Sequence, residues 1–302
     1  MSASGPDPVL ESALVRLDAY LARTPALRHL CEPWLDSHRA RLRHGGFVPI
    51  FALPRWVISA DNDPHEAEWD ADLTYSTLCG YLFVRLVDDI VDQQNEHARL
   101  AALGLGILHN EFLKPFRERF PGDHDFWTRF DEDWAWSIDR TARDFDGRIH
   151  SRNEFERTAA AKLGACRIPV AAACYLEDRR SRLEASLALC DAIARLYQFA
   201  DDVTDWQPDL AAGRSSWLLS EADSRKSDGE TVSEWMLRDG YAWSSARLDE
   251  LTASASEAAE AIDSIAAREH IANFSRGFVC KLDELKPALD GLRALADAFD
   301  SA

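Results

Sequence analysis

Two short acidic segments contain the residues best suited to chemistry. Residues 88–92 read Asp-Asp-Ile-Val-Asp and residues 201–205 read Asp-Asp-Val-Thr-Asp, so both have the pattern Asp-Asp-x-x-Asp. In a helix of about 3.6 residues per turn, the first and last carboxylates of such a segment share a face. Oxygen ligands without His or Cys favour Mg²⁺. The candidate metal ligands are therefore Asp88, Asp89, Asp92, Asp201, Asp202 and Asp205.

Both segments lie near the end of an apolar stretch that predicts a buried helix, over 71–95 and over 181–206. We expect Pro208 to end the second helix. The carboxyl end of a helix disfavours an anion by about 0.3–1 kcal/mol, and burial of an unpaired carboxylate costs more. Carboxylates so placed need cations.

The acidic segments allow two other interpretations, a solvated helix surface and a di-iron site. A single Asp-Asp-x-x-Asp segment is often solvated helix surface, but two such segments on apolar helices favour a site. A di-iron bundle would carry Glu-x-x-His on its helices, and that pattern does not occur in the chain.

Helix-forming residues dominate the rest of the chain, and alternating β-branched runs are nearly absent. The sequence therefore predicts an all-α protein, as one domain over 1–302, with an exposed loop over 221–230. The predicted helices are 8–23, 27–43, 71–95, 97–119, 125–145, 153–177, 181–206, 230–252, 255–280 and 282–300.

Composition restricts the partners and the compartment. The net charge of -18 disfavours nucleic acid and anionic membranes as partners. The six cysteines show no Cys-x-x-Cys spacing, so we expect free thiols in a reducing cytoplasm. The start of the chain lacks the pattern of a signal peptide, and no apolar stretch is long enough for a transmembrane segment.

The segment 197–205, Tyr-Gln-Phe-Ala-Asp-Asp-Val-Thr-Asp, resembles the second aspartate-rich motif of trans-prenyl diphosphate synthases, which reads FQxxDDxxD. The segment 85–92 resembles the RxxDDIVD motif of bacterial phytoene and squalene synthases, which share the class I isoprenoid synthase fold. Shorter matches to these families are Lys162-Leu163-Gly164, Gly213-Arg214, and Arg39, Arg41 and Arg43 beside Gly45-Gly46.

This resemblance implies an antiparallel helical bundle around a deep central pocket, with the two motifs facing each other. It also implies an isoprenoid diphosphate as substrate and Mg²⁺, three ions, as cofactor, and it is compatible with a homodimer. Under this interpretation Asp88, Asp92 and Asp201 bind metal and Asp205 is an added ligand, whereas Asp89 and Asp202 orient other groups.

Basic and amide side chains near the motifs have predicted roles as well. Gln198 lies one helical turn before Asp202 and is expected to support that carboxylate. Lys162, on an apolar helix, is expected to bind phosphate. Arg195 and Arg214 either contact the diphosphate or pair with the aspartates. Arg85 is expected to form salt bridges with the first motif.

An allylic carbocation needs an apolar pocket with aromatic faces. The predicted pocket residues lie about one to two turns before the aspartates. In the prenyl diphosphate synthases that this chain resembles, a bulky aromatic residue five positions before the first motif forms the pocket floor, and Phe83 fits that place. The candidate pocket residues are Tyr81, Phe83, Val84 and Tyr197.

Three functions are compatible with these motifs. The first is a prenyltransferase that couples an allylic diphosphate to a second isoprenoid unit, which the basic N-terminal segment favours. The second is a terpene cyclase, which ionises a single prenyl diphosphate and has no acceptor. The third is a non-catalytic partner subunit of a prenyl synthase, which would have no need of six costly carboxylates.

Overall fold

A computed structural model describes residues 7–43, 48–58, 64–91, 97–146, 149, 151–176 and 179–300. All regular structure in these ranges is helical, which confirms the all-α prediction. The helices are α1 (Pro8–Leu21), α2 (Pro25–Arg43), α3 (Val48–Ile58), α4 (Pro64–Val91), α5 (Ala98–Ala101), α6 (Leu105–Arg119), α7 (Asp125–Asp146), α8 (Arg152–Lys162), α9 (Gly164–Leu176), α10 (Leu183–Ala211), α11 (Trp217–Arg225), α12 (Val232–Trp235), α13 (Tyr241–Ala261) and α14 (Ile265–Asp300).

The chain divides into two compact units, each with its own packed interior. The first unit comprises Met1–Trp134 and Ala165–Glu184, and the second comprises Ala135–Gly164 and Ala185–Ala302. The first acidic motif belongs to the first unit and the second motif to the second unit. The bundle type, the central pocket and the single domain therefore stay predictions.

Helix α4 forms the middle of the first unit and packs against α1, α3 and α6. Its residues 73–80 are all buried, as the apolar sequence predicts. Two hydroxyl groups in this stretch have partners inside the protein: the Tyr75 hydroxyl donates to Glu111 at 2.7 Å, and the Ser76 hydroxyl donates to the Phe112 carbonyl at 2.6 Å. These bonds offset the cost of burying the two hydroxyl groups.

Aromatic rings from four helices pack together in the second unit. The Trp217 ring of α11 lies 5.1 Å from Phe155 of α8, 5.4 Å from Phe199 of α10 and 5.2 Å from Trp243 of α13, between ring centroids. Such aromatic pairs contribute about 0.5–1.5 kcal/mol each beyond their area burial. The cluster fixes the middle of α10, so the acidic motif one turn later has a rigid support.

The prediction that Pro208 ends this helix is wrong, because α10 continues to Ala211. Pro208 removes the amide that would bond to the carbonyl four residues earlier, and the helix continues for three residues beyond it. Two residues after the helix end stands Gly213, whose φ of 68° is left-handed. The amides of Gly213 and Arg214 donate to the carbonyls of Leu210 and Asp209, at 3.1 and 2.9 Å, which is the Schellman arrangement of a helix end.

Other predicted boundaries need correction. The predicted helix 153–177 is interrupted at Leu163, and the predicted loop 221–230 is helical up to Arg225. The predicted break between 280 and 282 is absent because α14 is continuous, and the actual break lies before it, near Asp263, whose φ is 53°. Helix α3, which contains Pro54, was not predicted.

Among the described residues, no single helix is both long and apolar enough to cross a membrane. The consecutive helices α8 and α9 reach that length and hydropathy only when the two, bent at their junction, are taken together.

Candidate functional site

The first acidic motif occupies the last described turn of α4. Asp88 is half-buried and Asp89 is buried, whereas Asp92 lies outside the described residues. Arg85, one turn earlier, donates to Asp88 Oδ2 at 2.6 Å and to Asp89 Oδ1 at 3.1 Å. The predicted salt bridges of Arg85 are therefore present.

Two residues of α2 also contact this motif. The Trp34 indole Nε1 donates to Asp89 Oδ2 at 2.8 Å, and His38 Nε2 lies 3.3 Å from the same oxygen. Burial lowers the pKa of His38, although the bond to Asp89 opposes this effect. Both rings are buried, so they fix the Asp89 carboxylate from a second helix.

The second motif divides its carboxylates between solvent and interior. Asp201 and Asp205 are exposed, one turn apart on α10, whereas Asp202 is only 6% exposed. The Gln198 side chain donates to Asp202 Oδ1 at 2.8 Å, which is the contact predicted from the spacing. Asp202 Oδ2 is buried without a hydrogen-bond partner among the described residues. Burial raises the pKa of Asp202 to about 7.

Lys162 lies at the end of α8, next to the interruption at Leu163. Burial raises the pKa of Asp202 and of Asp209, and the Lys162 ammonium opposes that rise at both carboxyl groups. Lys162 is therefore close enough to the second motif to affect its charge, as a residue that binds phosphate there would need to be. The phosphate contact itself stays a prediction.

Three arginines with predicted roles beside the motifs or in the basic segment have other partners. The Arg195 Nε donates to the Glu156 carbonyl at 3.1 Å. Arg214 is exposed and pairs with Asp209 at 3.6 Å, outside the motif. In the basic N-terminal segment, Arg39 forms ion pairs with three carboxylates, those of Asp18, Glu32 and Asp36.

The other two arginines of that segment, Arg41 and Arg43, differ in their ion pairs. Arg43 pairs with Glu11 at 2.9 Å. Arg41 is exposed and has no ion pair within the described ranges, and its charge reaches His38 and Tyr81, next to the first motif. Of the three arginines, Arg41 is therefore the best placed to meet an anion. The glycines of this segment, Gly45 and Gly46, lie outside the described residues.

The candidate pocket residues on α4 lie among aromatic side chains of the first unit. The Phe83 ring lies 5.4 Å from His109 and 5.7 Å from Trp134, between centroids. The Tyr81 ring lies 5.9 Å from Phe51, and burial raises the pKa of Tyr81 to about 12. Val84 is half-buried. The roles of Phe83, Tyr81 and Val84 in a pocket stay predictions.

Tyr197, the aromatic candidate of the second unit, faces α14. Its hydroxyl lies 2.7 Å from His270 Nε2, and its ring stacks on Phe274 at 4.1 Å. Burial raises the pKa of Tyr197 and lowers the pKa of His270. This arrangement gives Tyr197 a packing role between two helices, and its predicted place in the pocket is untested.

The donors suit Mg²⁺ by type. Within the described ranges no three His, Cys, Asp or Glu side chains come together as ligands for one ion, and Asp92 lies outside those ranges. Mg²⁺ typically uses one or two carboxylates and completes its shell with water and substrate phosphate. The exposed pair Asp201 and Asp205 provides such oxygens on one helical face.

Sequence reasoning missed Trp34, His38 and His270. Trp34 and His38 lie four positions apart within the predicted helix 27–43, so their shared face was visible, but nothing in the sequence identified its partner.

No model of a known protein family matches the chain. A comparison with curated protein sequences also finds no match. The functional interpretation therefore rests on the chain's own residues.

Proposed function

We propose that this chain is a Mg²⁺-dependent class I isoprenoid-diphosphate enzyme that ionises an allylic diphosphate and couples it to a second isoprenoid unit. One observation carries the proposal: the two motifs divide their carboxylates in the same way. In each, the second aspartate, Asp89 or Asp202, is buried and hydrogen-bonded. The first aspartate, Asp88 or Asp201, is more exposed.

This division is what cation binding requires. A buried carboxylate that accepts a hydrogen bond from a neighbour keeps the helix end in place, and an ion can approach the adjacent, more exposed carboxylate from solvent. A solvated surface cluster would not need two buried aspartates, each of which costs free energy. In the proposal Asp88 and Asp92 hold cations at the first motif, and Asp201 with Asp205 holds one at the second.

In the proposed reaction the diphosphate leaves as an anion, and its negative charge must be stabilised. Mg²⁺, when bound, supplies Lewis-acid neutralisation of the leaving diphosphate. Lys162 beside the second motif, or Arg41 beside the first, would add positive charge that stabilises the developing negative charge on the diphosphate oxygens. Arg85 keeps Asp88 in place, and the aromatic residues on α4 present apolar faces to a cation.

A terpene cyclase is the second candidate, favoured by a specific observation. The basic N-terminal segment argued for an acceptor diphosphate, but Arg39 and Arg43 are engaged in ion pairs. Of the three arginines in this segment, Arg41 alone has no ion pair within the described ranges. A reaction without an acceptor needs fewer basic groups, so this observation reduces the support for coupling.

The test is to incubate the purified chain with Mg²⁺ and each allylic diphosphate, with and without isopentenyl diphosphate, and to identify the products. Coupling predicts longer prenyl chains only when the acceptor is present. Cyclisation predicts hydrocarbons or alcohols from the allylic substrate alone. A non-catalytic subunit predicts no product until a partner is added.

Two substitutions connect the reaction to the motifs. We expect Asp88→Ala and Asp201→Ala each to reduce kcat/KM at least a hundredfold, about 2.7 kcal/mol of barrier, because each removes a cation ligand. Asp223→Ala, at an exposed site outside the motifs, is the matched control and should leave kcat/KM unchanged. Full activity in EDTA would contradict the metal assignment.

A further inference from the structure

The Asp89 carboxylate is held from two helices at once. On one side, Oδ2 accepts from Trp34 Nε1 at 2.8 Å and lies 3.3 Å from His38 Nε2, both on α2. On the other side, Oδ1 accepts from Arg85 Nη2 at 3.1 Å, on α4 itself. Because Asp89 is only 5% exposed and both oxygens have partners, it is not available to an ion in solvent.

The same guanidinium extends the contact to Asp88. Arg85 Nη1 donates to Asp88 Oδ2 at 2.6 Å while Nη2 holds Asp89. A planar guanidinium with fixed donor directions places the two carboxylates relative to each other. The position of Asp88 therefore depends on Arg85, and the position of Arg85 depends on Asp89.

We infer that Trp34 and His38 are positioning residues for cation binding at Asp88, acting through Asp89 and Arg85. The inference rests on the proposed function, because it assumes that Asp88 meets a cation together with a diphosphate. It adds two residues of α2 to a motif that lies more than fifty positions later in the chain. Substitution of groups that orient a metal ligand typically weakens metal binding by about 10–100-fold.

Trp34 and His38 offer substitutions that separate the hydrogen bonds from the packing. Trp34→Phe keeps an apolar ring but removes the indole donor. Trp69→Phe is the matched control, because Trp69 is also buried in the first unit and its Nε1 has no hydrogen-bond partner among the described residues. For His38, Gln retains a donor near the Nε2 position, whereas Phe removes it.

The experiment measures thermal unfolding while Mg²⁺ is titrated at a fixed, saturating concentration of inorganic diphosphate. The readout is the Mg²⁺ concentration that gives half of the maximal rise in Tm, which does not require turnover. We expect Trp34→Phe and His38→Phe to raise this concentration at least about tenfold. For Trp69→Phe and His38→Gln the required Mg²⁺ concentration should stay within about twofold of the wild-type value. Trp69→Phe leaves both Trp34 and His38 in place, and His38→Gln keeps a donor for Asp89.

The outcomes separate the inference from the function on which it rests. If the wild type responds but Trp34→Phe requires the same Mg²⁺ concentration as Trp69→Phe, the positioning role is wrong and the proposed function stands. If the wild type shows no rise in Tm, the proposed function fails, and the inference fails with it. If Trp34→Phe does not fold, the comparison of His38→Gln with His38→Phe decides, and equal Mg²⁺ requirements overturn the inference.

Discussion

At the scale of single residues, Asp202 is the carboxylate whose environment has the clearest measurable consequence. It is buried on α10, one oxygen accepts from Gln198, and the other has no hydrogen-bond partner among the described residues. Burial disfavours the charged form, and this raises the pKa of Asp202 from 3.8 to about 7. The folded protein therefore binds the Asp202 proton more tightly than the unfolded chain does.

The raised pKa of Asp202 determines the direction in which the free energy of unfolding changes with pH. Between about pH 4 and pH 7 the folded state binds more protons at Asp202 than the unfolded state, so the contribution of Asp202 to the free energy of unfolding falls as pH rises. Asn cannot ionise. We expect Asp202→Asn to unfold like the wild type at pH 4 but to be more stable at pH 8, by up to about 4 kcal/mol.

The measurement is urea unfolding at several pH values in EDTA, so that no divalent cation neutralises the motif. Asp205→Asn is the matched control, because Asp205 is exposed on the same helix three positions later. A stability difference for Asp202→Asn that is the same at pH 4 and pH 8 would contradict the assignment of a raised pKa.

At the scale of helices, a close contact in the second unit lies beside the interruption between α8 and α9. A Cβ on Gly164 would lie 2.7 Å from the Ser137 Cβ of α7, closer than two carbon atoms can approach without movement. The Ser137 hydroxyl donates to the Ala161 carbonyl at 2.8 Å, which ties α7 to the end of α8. Lys162 follows directly, so this contact helps to place its ammonium.

We expect Gly164→Ala to lower the free energy of unfolding by about 1–3 kcal/mol, because the added methyl group must push Ser137 of α7 away from the start of α9. Gly106→Ala is the control: Gly106 is exposed in α6 and a Cβ there meets no atom within 4 Å. That substitution should stabilise the helix by about 0.5–1 kcal/mol. Equal effects of the two substitutions in urea unfolding would show that the close contact is absent.

At the scale of the whole molecule, the net charge of the protein affects how Mg²⁺ and diphosphate bind. The chain carries 34 Lys and Arg residues against 52 Asp and Glu residues, a net charge of -18. A diphosphate approaching such a protein is repelled unless cations accompany it. Binding of Mg²⁺ and of diphosphate should therefore be mutually dependent, each strengthening the other.

This dependence gives a prediction for the intact wild-type protein. We expect millimolar inorganic diphosphate alone to leave Tm unchanged, and diphosphate with Mg²⁺ to raise Tm, because the pair binds only the folded state. Sodium sulfate at matched ionic strength controls for general salt effects. An equal rise in Tm with diphosphate in the presence of EDTA would contradict a cation-dependent site.

Features that depend on neighbours within one helix were predictable from the amino-acid sequence. Helical periodicity predicted the all-α class. The spacing of four between Gln198 and Asp202 predicted their hydrogen bond, and the spacings of three and four predicted the salt bridges of Arg85. These contacts follow from helix geometry alone, because residues three or four positions apart lie on the same face whatever the rest of the chain does.

Only the tertiary structure decided which distant residues meet. Trp34 and His38 reach Asp89 because α2 packs beside the end of α4, and Arg39 is occupied because Asp18 of α1 lies against it. Gly164, beside the interruption at Leu163, lies against Ser137 of α7. Such contacts depend on how side chains of separate helices fit together, and the apolar pattern of each helix leaves many arrangements open.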